Sequence, residues 1–62
     1  MKTIKFTKHA ILRARERNLL EYLNKKRFYY DAEYVDPGIA RIGRCTYSFV
    51  EKEKVIIIKT MF

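Results

Sequence analysis

The single histidine of this chain, His9, stands four residues before Arg13 and eight before Arg17. At 100° per residue these positions fall about 40° apart in succession, so a helix through them carries a proton-transfer group and two fixed cations along one edge. Arginine forks match phosphate oxygens, and an imidazole exchanges protons near neutral pH. The chemistry such an edge suits is metal-free cleavage of an RNA phosphodiester. A base takes the 2′-hydroxyl proton, cations steady the charge of the phosphorane, and an acid protonates the leaving 5′-oxygen. His9 fits either proton-transfer role, with Arg13 and Arg17 as the clamp, and the positive end of the helix dipole leans it towards the base. With no second histidine, the other role falls to a tyrosine, a lysine or water, and Tyr47 and Thr60, on strands expected beside the helix, are the candidates. The same residues also admit a purely structural reading. His9 then caps or packs the helix start, and Arg13, Glu16 and Arg17 form an ion network at i,i+3 and i,i+4 spacing.

The elements that must hold these residues follow from periodicity. Lys2 to Phe6 alternates polar and apolar as a half-buried strand does, and Thr7 is an N-cap for the helix that follows. Ala10, Ala14 and Ile11 are the apolar strip of that helix, which is expected to stop near Asn18 because asparagine tolerates the left-handed conformation of helix ends. Leu19 to Lys26 predicts a second short helix with Leu19, Leu20 and Leu23 inward. The aromatic stretch Arg27 to Val35 predicts a strand, closed by the turn Asp36-Pro37-Gly38. Ile39 to Ile42 and Arg44 to Glu51 flank Gly43 as a hairpin or one bulged strand. After the charged loop Glu51 to Lys54, Val55 to Ile58 is apolar on both faces and is expected inside the sheet, covered on both sides by helices or a second protomer. The expectation is an α+β domain over residues 1–62, in the order β-α-α-β-β-β, with two short helices packed on an antiparallel sheet.

Charge is distributed unevenly along these elements. The net charge is +7 in 62 residues, and residues 1–30 contain nine Lys and Arg against Glu16 and Glu21, whereas residues 31–62 balance five of each sign. A one-sided basic field attracts polyanions, so RNA is the expected partner. Arg15 on the first helix and the cluster Lys25-Lys26-Arg27 are the expected nucleic-acid contacts. The cluster adjoins Phe28-Tyr29-Tyr30, a combination that could grip a backbone and stack bases, although aromatic runs also build cores.

Other chemistries lack their residues. One His, the lone Cys45 and seven scattered carboxylates offer no metal-ligand spacing, so no metal is expected, and two isolated glycines make no phosphate loop, so no cofactor is expected. Cys45 reads as a small buried hydrophobe in a reducing compartment. The longest aliphatic run is far too short to span a bilayer, and the first residues lack an apolar leader pattern; the expectation is a cytoplasmic protein without membrane contact.

The string His9-Ala10-x-x-Arg13-x-x-Glu16-Arg17, a short second helix and a final strand Val55-Ile-Ile-Ile-Lys-Thr60 together resemble the domain of unknown function 4258 family. Its members open with an HAxxRxxER helix and close with an aliphatic strand ending in Thr. Their usual glycine after the ER pair is Asn18 here. The resemblance implies the compact fold of RelE-like toxins and related metal-independent ribonucleases, and with it an acidic antitoxin protein as a further partner. The expected function is a small RNA-directed metal-independent endoribonuclease, such as the toxin of a toxin-antitoxin pair; the alternatives are a noncatalytic nucleic-acid-binding module and an interaction domain for an acidic protein. The small size leaves room for a homodimer.

Overall fold

A computed structural model describes residues 2–62. Strand β1 (Thr3–Phe6) leads through Thr7 into helix α1 (Lys8–Glu16), and a single 3-10 turn (Leu20–Tyr22) connects it to helix α2 (Lys25–Asp31). Strands β2 (Glu33–Asp36), β3 (Ile39–Ile42), β4 (Cys45–Glu51) and β5 (Val55–Met61) complete one sheet in the order β1-β5-β4-β3-β2.

The expected α+β class and the strand-helix-helix-strand sequence are present, with three differences. The sheet has five strands rather than four: of the two readings of Gly43, the hairpin is the one formed, with Ile42 paired to Cys45. The sheet is mixed, because β1 runs parallel to β5 while every other pair is antiparallel. The second helix lies later than the leucine pattern suggested, over Lys25–Asp31, and most of the expected aromatic strand from Arg27 is therefore helical. Asn24 explains the shift. Its Oδ1 accepts the Arg27 N–H at 2.9 Å, a side-chain cap that starts α2 there, and the chain turns extended again at Ala32.

Both ends of α1 are fixed by the expected residues. The Thr7 hydroxyl accepts the Ala10 N–H at 3.1 Å and donates to the Lys59 carbonyl at 3.0 Å, so it caps the helix and ties its start to β5. At the other end Asn18 takes φ 58°, and the N–H groups of Asn18 and Leu19 donate to the carbonyls of Arg15 and Ala14. That pair of bonds is a Schellman closure. Ala10 and Ala14, both fully buried, let the helix axis approach β5 closely.

One core fills the space between the helices and a single face of the sheet. Phe28 of α2 meets Tyr47 edge-on at 4.9 Å and Phe49 at 6.1 Å, with Ile4, Ile56, Ile58 and Met61 around them. β5 lies between β1 and β4, inside the sheet as its composition suggested. Its two faces differ, however. Ile56 and Ile58 are buried, whereas Val55 and Ile57 are half-buried on the face away from the helices, so helices cover one side only. Ile11, expected in the apolar strip of α1, is exposed beside Leu12. No helix among the described residues is long and apolar enough to cross a membrane.

Candidate functional site

Helix α1 and its cap set out His9, Arg13 and Arg17 one turn apart, each step about 6 Å along the axis. His9 and Arg17 are exposed; Arg13 is half-buried, and its Nη1 donates to Glu16 Oε1 at 3.2 Å. Part of the expected intrahelical network is thus formed, and Arg17 stands outside it. His9 and Arg13 are one turn apart on α1, and Arg17 stands just past its end as the C-cap residue.

The two proposed proton-transfer partners do not join them. Tyr47 is completely buried in the core, and its hydroxyl donates to the backbone carbonyl of Tyr22 at 2.9 Å. Burial, then the neighbouring Cys45, pushes the phenol well above the usual tyrosine range, so it is held as a neutral donor with no path to a substrate. Tyr47 is therefore a structural residue. Thr60 pairs with Ser48 and alternates with the inward-facing Met61, which places it on the sheet face away from the helices. It cannot share a reaction centre with α1. Cys45 is buried as expected; burial raises its thiol, opposed in part by its hydrogen bond with Tyr47 and by the charges of Arg44 and Arg27.

The expected nucleic-acid contacts divide into three groups. Arg15 lies with Lys8, Ile11 and Leu12 around a shallow depression of about 170 Å³ on the outer face of α1. Lys25 and Lys26 lie on the outer face of α2, with Tyr29 and Tyr30, along a groove of about 370 Å³ that runs past the start of β1. Arg27 does not belong with them. Its guanidinium sits 4.8 Å from the centre of the Tyr22 ring, where Arg44 also stacks at 5.7 Å. Arg44 in turn donates to the Asn18 carbonyl at 2.8 Å and to Glu21 at 3.2 Å, so the two arginines hold the 3-10 turn against the β3–β4 hairpin. In the sequence nothing marked Arg44 as a partner of Tyr22; the pairing is made by the fold.

The aromatic triplet also separates. Phe28 is core, while Tyr29 is 44% and Tyr30 71% exposed. Another hollow, of about 540 Å³ beside the β2–β3 turn, is lined by Tyr34, Val35, Pro37 and Phe49 with the carboxylates Asp36 and Glu51. Glu51 is already paired with Lys2, and no cation lines this hollow, so it offers no free positive charge to a phosphate. No group of three metal-ligating side chains occurs among the described residues. No protein-family model, curated protein or solved structure matches this chain.

Proposed function

We propose that this protein binds RNA, holding the phosphate backbone on the outer surface of its two helices. The observation that supports this most directly is a set of uncompensated cations. Lys8, Arg15, Arg17, Lys25 and Lys26 are exposed, and none has a carboxylate partner among the described residues, whose ion pairs are Lys2–Glu51, Arg13–Glu16 and Arg44–Glu21. Five phosphate contacts on a single strand correspond to a slope of roughly −3.5 for log K against log salt. Fluorescence anisotropy of a labelled RNA, titrated with protein between about 50 and 200 mM salt, measures that slope. An affinity indifferent to salt, or no binding at low salt, overturns the proposal.

A second reading keeps the same surface and adds chemistry. His9, exposed on one edge with Arg13 and Arg17, suits a metal-independent endoribonuclease of RelE-like kind, with water or a lysine as its proton-transfer partner. In that case His9→Ala abolishes cleavage of RNA in excess EDTA and leaves affinity nearly unchanged, whereas Arg13→Ala lowers both. Intact RNA after incubation with excess parent protein across pH 6 to 8, in solution and on translating ribosomes, leaves the binding reading alone. An acidic antitoxin would compete for the same cations.

A further inference from the structure

The groove between α2 and the start of β1 has a composition unlike the rest of the surface. Lys25 and Tyr29, and Lys26 and Tyr30, are two i,i+4 pairs, so each ammonium shares a stretch of helix face with one aromatic ring. The rings meet edge to face, centroids 5.0 Å apart and planes at 85°, and both project into solvent. Ile4 contributes to the opposite wall, and Lys2 stands at the rim, already paired with Glu51. The lining is mostly apolar and holds no carboxylate, and its volume of about 370 Å³ falls at the lower end of the range for ligand sites.

We propose that this groove is a stacking site for single-stranded nucleic acid, two successive nucleotides each placing a base against Tyr29 or Tyr30 and a phosphate beside Lys25 or Lys26. The proposal rests on the RNA-binding reading and goes beyond it. Charge alone would serve a duplex as well, but exposed rings lining a cationic groove suit bases that are out of their stack. Every base has a π-face, so the site tolerates any sequence and takes DNA and RNA strands alike. Lys26 and Tyr30 lie on the face of α2 opposite Phe28 and Lys25 and Tyr29 on its flank, all four exposed, so these side chains can be changed without opening the core.

The test uses the whole chain and an eight-nucleotide RNA with 2-aminopurine at one internal position, whose fluorescence falls when the base stacks. For the parent protein, binding quenches the probe. Tyr30→Ala and Tyr29→Ala each weaken binding by about five- to 150-fold, lose much of the quench, and leave the salt slope unchanged. Tyr30→Phe restores affinity and quench, because stacking needs the ring and not the hydroxyl. Lys25→Ala and Lys26→Ala instead lower the slope by about 0.7 each. A DNA strand of the same sequence repeats the pattern, and a matched RNA duplex shows no effect of the tyrosine changes. If the parent binds with a steep salt dependence and the tyrosine variants bind and quench equally well, the groove proposal falls while the RNA reading stands. If the parent does not bind the strand at low salt, both fall. If the tyrosine changes abolish binding to phosphatidylserine vesicles but not to the strand, the groove faces a lipid surface and the proposal is overturned.

Discussion

Tyr47→Phe separates the structural role of this residue from the catalytic one its position in the sequence suggested. The change removes one atom, the hydroxyl that donates to the Tyr22 carbonyl at 2.9 Å, and keeps the ring that packs on Phe28 at 4.9 Å. A net hydrogen bond contributes about 1 kcal/mol, and a carbonyl left dry in the core raises the loss to as much as ~3 kcal/mol. We expect about 1–2 kcal/mol. A domain of this size has roughly 3–9 kcal/mol in total, and each kilocalorie moves its Tm by about 4–8 °C. Circular dichroism melts at pH 7 should therefore show the variant melting about 4–16 °C lower. The deficit also depends on pH. Folding raises the affinity of this phenol for its proton, so its contribution is complete below the unfolded tyrosine pKa of about 10 and is lost as pH climbs above it. The parent should lose stability above about pH 10 faster than the variant, and the gap between them should close. A Tm unchanged at pH 7, or a normally folded variant with altered RNA chemistry, would refute the placement of Tyr47 in the core.

Three further outcomes test the packing. Ile58→Ala, at a fully buried site, should cost about 2–5 kcal/mol by urea unfolding, and Ile57→Ala clearly less, because its side chain is half-buried on the outer face; equal losses would mean that both faces are covered. Gly43→Ala should lower the Tm: Gly43 has φ 53°, and an added Cβ would lie 3.0 Å from the Tyr22 hydroxyl, so strain and a collision act together. The Cys45 thiol should react with a disulfide reagent at pH 8 only as fast as the domain opens, and prompt reaction in the native protein would show the site to be exposed.

What the sequence made legible was local. Thr7, Asn18, Asp36-Pro37-Gly38 and Gly43 each act through neighbours a few residues away, and each punctuates the chain where its side chain or backbone freedom suggests. Arg27 to Tyr30 was not legible because its ring-rich composition favours a strand, while the Asn24 cap and the burial of Phe28 against Tyr47 favour a helix, and tertiary packing outweighs propensity. The helical edge of His9, Arg13 and Arg17 was visible for the same reason as the caps. The dismissal of Tyr47 and Thr60 was not, because alternation along a strand gives two faces without saying which of them meets a helix. Arg27 and Arg44 converge on Tyr22 from different elements, and no spacing in the chain announces that.

The parallel pairing of β1 with β5 fixes the order in which the protein can come into being. Thr7 reaches Lys59 across 52 residues, and β5 is the last of the described elements to be synthesised. Until it has emerged, β1 has no strand to join and the Ala10 and Ala14 stripe of α1 has no sheet beneath it. The hairpin of β3 and β4 can form early because its contacts are close in sequence, and Tyr47 and Phe49 give α2 a surface to pack on, but α1 and β1 gain their places only with β5. Folding therefore waits on the closure of nearly the whole chain, which is entropically slow, and leaves no autonomous N-terminal fragment. A ribosome stalled before Val55 would display the basic segments as an unstructured, highly charged tether, and a two-fragment version cut at the β4–β5 loop should regain its shape only when both pieces are mixed.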